Sequence, residues 1–140
     1  MKLELKHLAA YLPYELKVKN KECDDILTLI ELDKERVGSM DDKFKYVDWI
    51  GDIKPILHPL SDLRNGDYLD LLFYGNMKCD NDREFLNALE DDIASADAKM
   101  EVAPYHLVQK LLEWHFDVFG LIKEGLAIDV NNLKQNNETN

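Results

Sequence analysis

The segment from Pro104 to Gly120 constrains the fold more than any other part of the chain. Val108, Leu111, Leu112, His115, Val118 and Phe119 recur at helical spacing, while His106, Gln109, Lys110, Glu113 and Asp117 fall on the opposite side. Pro104 stands where a first-turn proline is tolerated. Gly120 occupies the position of a left-handed C-cap, with Leu121 and Ile122 able to fold back on the last turn. The spacing predicts an amphipathic helix over Tyr105–Phe119. Such a helix needs an apolar surface to cover its stripe.

The first half of the chain supplies one. Leu5 to Leu12 reads as a short helix stopped by Pro13. Leu16 and Val18 alternate with lysines as in a half-buried strand, and the nearly continuous apolar run Ile26–Leu32 reads as a more deeply buried one. Asp33 to Asp42, with Gly38 and Ser39 inside it, reads as a turn. Lys43 to Ile50 is a third strand, with Phe44, Tyr46, Asp48 and Ile50 on one face and Lys45, Val47 and Trp49 on the other. The expected fold is therefore α+β, a small antiparallel meander of about three strands packed against C-terminal helices. Pro55 and Pro59 make Gly51–Gly66 an ordered loop, since two prolines four apart disfavour both helix and central strand. Asp67–Tyr74 fits a short helix or a buried strand, with the helix preferred. Asn81-Asp82-Arg83-Glu84 reads as the start of a helix that ends around Ser95–Met100, and Gly125–Val130 as a short extended segment. Residues 1–133 form one domain, and Lys134–Asn140 a polar tail with nothing to bury.

Composition removes several function classes. The 140 residues are 46% apolar and 32% charged, which places the chain among globular rather than disordered proteins. Lys and Arg total 17 against 28 Asp and Glu, a formal charge of -11. Direct nucleic-acid binding and anionic membrane surfaces are disfavoured, because phosphate recognition needs clustered cations. Cys23 and Cys79 form no CxxC pair or disulfide framework. The N-terminus lacks a signal-like apolar core, and no apolar run reaches the ~20 residues of a membrane span. A cytoplasmic location is the expectation.

The candidate chemistry centres on two histidines. His58 lies between two prolines and four residues before Asp62, so a loop His–Asp pair orienting a general base is conceivable. No nucleophile signature accompanies it, and structural use of the loop is the simpler reading. His115 shares the apolar stripe, where a core histidine bonded to a neighbour is the simpler reading than a buried proton carrier. His115 and Asp117 point apart on a helix and cannot form one site together. Trp114 and Phe116 read as packing residues, with Trp114 able to anchor a partner if exposed. His7, His58, His106, His115 and the cysteines show no metal-ligand spacing, and the scattered glycines form no phosphate loop. No catalytic, cofactor or metal residue is assigned.

Three blocks carry a resemblance. Leu5-Lys6-His7-Leu8-Ala9-Ala10-Tyr11-Leu12-Pro13-Tyr14, Lys54-Pro55-Ile56-Leu57-His58-Pro59-Leu60-Ser61-Asp62-Leu63, and the stretch from Pro104-Tyr105 through Val108–Ile122 to Gly125-Leu126-Ala127-Ile128-Asp129 resemble a family of small uncharacterised proteins. These are encoded by prophages and mobile elements of gut bacteria. The resemblance implies an accessory protein of such an element and no mechanism; family members often carry arginine at the position of His58, which argues against catalysis there. The expected function is a non-enzymatic protein-interaction domain that binds a host or phage protein. The alternatives are an enzyme with a site near His58, Asp62 and the C-terminal helix, or an acidic nucleic-acid mimic with one contiguous acidic face. An exposed apolar patch beside Trp114 or along the sheet edge would mark self-association.

Overall fold

A computed structural model describes residues 2–23, 25–64, 66–75, 78–91, 100 and 103–133. Six strands form one sheet: β1 Lys17–Asn20, β2 Ile26–Asp33, β3 Arg36–Met40, β4 Lys45–Trp49, β5 Ile53–Leu57 and β6 Ile128–Asp129, in the order β4-β3-β2-β1-β5-β6. The described helices are α1 Leu5–Ala9, α2 Tyr68–Gly75, α3 Asp80–Asp91 and α4 Tyr105–Glu113, with short 3-10 turns at Leu12–Tyr14, Ile50–Asp52 and Leu60–Arg64. The α+β class stands. The sheet has six strands rather than about three, and it is mixed, because β6 runs parallel to β5.

Two segments and the short β6 account for the difference, and a third segment differs in burial. Asp33–Asp42 holds a strand as well as turns: β3 pairs with β2 and β4, leaving only Lys34-Glu35 to close the first hairpin, with Lys34 at φ 55°. Gly38 lies inside that strand because Glu31 of β2 leans across it to reach Lys45 of β4 at 2.5 Å. A Cβ on Gly38 would come within 2.4 Å of the Glu31 side chain. The second segment is Lys54–Leu57, read as loop and found as an internal strand. The Lys21 N–H donates to the Asp52 carbonyl at 2.9 Å, and alternation from that pair makes Val18 and Pro55 a non-hydrogen-bonded pair. The missing N–H of Pro55 therefore faces away from β1, and β6 begins to pair only at Ile56. Third, β2 is less buried than its apolar run suggests. Leu27 and Leu29 face the core, but Ile26 and Ile30 are exposed, with a bulge at Ile30.

One face of the sheet carries Leu16, Val18, Leu27, Leu29, Val37, Ile53 and Leu57 into a single core. Leu8, Tyr11, Leu72, Leu86, Leu89, Leu107 and Leu111 come to it from the helical layer. Each buried aliphatic side chain contributes roughly 1.5–3 kcal/mol, so this cluster supplies the main driving force. α3 begins at Asp80, one residue before the predicted start. The Asp82 carboxylate accepts the Lys78 N–H at 2.8 Å and meets His106 Nε2 of α4 at 2.7 Å. His106, predicted to face solvent, thus ties the first turns of two helices together. The helix end expected around Ser95–Met100 lies, Met100 apart, outside the described residues, as does the tail 134–140.

Two outcomes follow. Tyr11→Phe removes the hydroxyl that donates to the Phe116 carbonyl at 2.5 Å and accepts the Val118 N–H at 3.3 Å. It should cost about 1–3 kcal/mol in urea unfolding, because two buried backbone groups lose a partner. The Asp82 carboxyl is held below its ordinary range, first by the Lys78 N–H and further by His106. Its folded pKa being depressed, its contribution is present at neutral pH and lost as pH falls through the folded value. The gap in urea midpoint between wild type and Asp82→Asn should therefore be open at pH 7 and close in acid.

Candidate protein-interaction surface

α4 ends six residues earlier than its apolar spacing predicts, and its end reorganises the candidate residues around it. The last helical residue is Glu113, and His115 turns into the left-handed region at φ 63°. The His115 N–H donates to the Leu112 carbonyl at 3.0 Å and the Phe116 N–H to the Leu111 carbonyl at 2.9 Å. That pair of bonds is a Schellman cap, with histidine where glycine usually stands. Its imidazole donates from Nε2 to the Tyr14 carbonyl at 2.6 Å. His115 is therefore a half-buried cap residue and not a member of a helical stripe. Gly120 is not the cap of this helix.

Beyond the cap the chain runs extended beside His58. The His58 N–H donates to the His115 carbonyl and the Asp117 N–H to the His58 carbonyl, each at 2.9 Å. Asp117, predicted to face outward on a helix, is buried, and its two oxygens accept the N–H groups of Leu121 and Ile122 at 2.8 and 2.9 Å. The predicted His58–Asp62 pair does form: Nδ1 lies 3.4 Å from Asp62 Oδ2. Both Asp62 oxygens also accept from the Asn131 side-chain amide at 2.9 and 3.2 Å, a partner that sequence spacing does not reveal across 69 residues. Around it the His58 ring lies against Phe116 and Tyr68, and Tyr68 against Trp114, with centroids 5.0 to 6.5 Å apart through the cluster. This constellation joins the 58–62 loop to the 115–117 corner and to the residues after β6.

His7 is buried and accepts the Glu4 N–H on Nδ1 at 3.0 Å, with its edge toward Phe119. Burial first, then the neighbouring Lys6 charge, lower its pKa, so it stays neutral in the fold near pH 7. Among the described residues, no three of His, Cys, Asp and Glu converge as metal ligands, and no helix is long and apolar enough to cross a membrane.

Two surface features stand apart from these structural contacts. A cleft of about 710 Å³ between the N-terminal segment and the β2–β3 turn is rimmed by Lys2, Lys6, Lys21, Lys34 and Lys54, opposed by Glu4 and Glu35. It gathers positive charge on a chain whose net charge is -11. The other is the outer part of the sheet. Phe44, Val47 and Trp49 are 62%, 58% and 55% exposed, and Met40 and Tyr46 are exposed beside them. Register places Met40, Val47 and Trp49 on the face away from the core, where Arg36 lies over the Trp49 ring at 5.0 Å. β4 is also the end strand of the sheet. Comparison with protein-family models, curated proteins and solved structures finds no match for the chain.

The geometry at His115 predicts an ordering of variants. His115→Gly and His115→Ala both lose the bond to Tyr14, but only alanine retains the left-handed penalty. Glycine should be the more stable of the two by about 1 kcal/mol in denaturant titration. Equal midpoints would show that the cap does not hold this position left-handed.

Proposed function

We propose that this chain is a protein-interaction domain without catalytic activity of its own, an accessory protein of a prophage or mobile element that binds a protein through the β2–β4 end of its sheet. The observation that carries the reading is the concentration of exposed Phe44, Val47 and Trp49 on and beside an end strand. Large apolar side chains left exposed together at a sheet edge cost solubility and are typical of binding sites. Aromatic side chains there bring large contact area with few torsions to immobilise. The resemblance of the three sequence blocks to mobile-element proteins supplies the biological setting.

The histidines support the same reading from the other side. The His58 backbone is bonded to the 115–117 corner on both its N–H and its C=O, and Asp62 is engaged by Asn131. His115 is engaged by Tyr14. These are the bonds of a scaffold. An enzymatic reading rests on the 3.4 Å contact between His58 and Asp62. It gains ground only if a substrate is turned over and His58→Ala abolishes turnover with the fold intact.

A photo-crosslinking phenylalanine analogue in place of Phe44 tests the proposal in cells carrying the element. The same probe at Tyr105, which is 77% exposed on α4, is the control. Covalent adducts with another polypeptide should form from position 44 and not from position 105. Equal or absent labelling at the two positions would sink the interaction reading.

A further inference from the structure

We propose that the outer edge of β4, which no strand among the described residues pairs, pairs with the same edge of a second copy, antiparallel about a two-fold axis through Val47, so that two six-stranded sheets join into one. This rests on the reading of the β2–β4 end as a binding surface and names its occupant.

The backbone argument starts from the β3–β4 ladder. At its ends the Ile50 N–H donates to the Glu35 carbonyl at 2.7 Å, and the Asp41 N–H to the Phe44 carbonyl at 3.1 Å. Antiparallel ladders alternate hydrogen-bonded and non-hydrogen-bonded pairs. Between those ends, Arg36–Trp49, Gly38–Val47 and Met40–Lys45 are therefore the non-hydrogen-bonded pairs. Lys45, Val47 and Trp49 thus direct both N–H and C=O away from β3, a row of six backbone groups along the sheet edge. Natural sheets guard such edges with proline, bulges or charges aimed along the edge. β4 contains no proline, and the bulge of this sheet lies in β2. Lys45 is drawn inward across the face by Glu31.

Symmetry then selects the register. A two-fold axis normal to the sheet pairs residues of like face, so it must pass through a single residue of each strand. Centring on Val47 pairs Val47 with Val47 of the second copy, and Lys45 with Trp49 of the second copy in both directions. All six outward groups on each strand are then used, in six inter-chain bonds. Shifting the centre to Tyr46 or Asp48 carries one of the three outward residues past the end of the opposing strand. The Val47 register also suits the side chains. On the outer face, each Lys45 ammonium comes beside a Trp49 ring of the second copy, whose own chain already sets Arg36 against it. The two Val47 side chains meet at the axis, between those rings. On the inner face Tyr46 comes opposite Asp48, a phenol against a carboxylate. No like charges stand directly opposed, the arrangement that destabilises cross-strand pairs.

Each copy carries a net charge of -11, so long-range repulsion opposes the encounter. Dimerisation should therefore strengthen as salt rises from about 0.05 to 0.5 M, where the screening length falls from above to below ~10 Å.

Sedimentation velocity of the full chain across a micromolar-to-millimolar series reads the proposal, together with hydrogen exchange of the β4 amides. The expected result is a reversible monomer–dimer equilibrium with concentration-dependent protection of the Lys45, Val47 and Trp49 amides. Val47→Pro should leave circular dichroism unchanged, because the Val47 N–H makes no bond within the chain's own ladder, and should weaken association by roughly a hundredfold. Val47→Lys, which sets two ammonium groups face to face at the axis, should do the same and guards against a proline variant that fails to fold. A dimer that survives both substitutions, or a chain monomeric up to millimolar concentration, overturns the proposal. The crosslink from position 44 judges the broader reading separately: heterologous adducts from a monomeric chain would retain the binding surface and remove only the second copy.

Discussion

A buried turn sets four backbone groups and two polar side chains needing partners at once, and segments far apart in the chain meet there to supply them. Where α4 stops, residues 115–118 leave peptide groups that neither a helix nor the main sheet can pair, in a part of the molecule where water is excluded. The Tyr11 hydroxyl takes the Phe116 carbonyl and the Val118 N–H. The His58 backbone takes the His115 carbonyl and the Asp117 N–H. The Asp117 carboxylate takes the N–H groups of Leu121 and Ile122, and the His115 ring reaches the Tyr14 carbonyl. An unpaired buried peptide group costs about as much as a lost hydrogen bond, so the corner cannot be built piecemeal. It forces the N-terminal helix, the loop after β5 and the C-terminal segment into one place. These backbone and side-chain bonds hold together the segments 5–14, 54–63 and 104–129.

That arrangement decides which residues are left for function. The histidines and aspartates that invite a catalytic reading are drawn into holding the corner and the loop beside it. Burial of the Tyr11 phenol and of the Asp117 carboxylate adds to the core's rigidity without placing either in an open cleft. The surface that the fold leaves unused lies at the opposite end of the sheet, where aromatic and aliphatic side chains stand exposed on the last strand. The polar groups are thereby gathered at the corner, and the exposed apolar side chains of β4 lie apart from it.

Much of this was legible in the sequence, for a local reason. Alternation in β1 and β4, the apolar stripe of α4 through Leu112, the helix over 68–75 and an extended segment near 128 all follow from spacing, because the period of a side-chain pattern depends only on the element that carries it. The 33–42 segment was misread because Gly38 and Ser39 look like turn residues. Gly38 is demanded by Glu31 crossing over it from the next strand, a fact about neighbours. Pro55 looked incompatible with an internal strand, yet pairing parity turns its missing donor toward the side where β6 has not begun.

The end of α4 shows the division most plainly. Its apolar spacing continues to Phe119, and nothing local stops the helix at Glu113. A histidine accepts the left-handed position there because distant groups, the Tyr14 carbonyl and the His58 peptide, repay the strain. Sequence alone determined the α+β class, the amphipathic helix and the acidic balance of charge, all consequences of composition and periodicity. Tertiary structure alone decided the strand count, the mixed sheet, the fate of His58, His115 and Asp117, and which strand was left at the edge. The mixed sheet and the places of His58 and His115 depend on partners dozens of residues away, and the rest on how neighbouring strands pair, which no periodicity along the chain encodes.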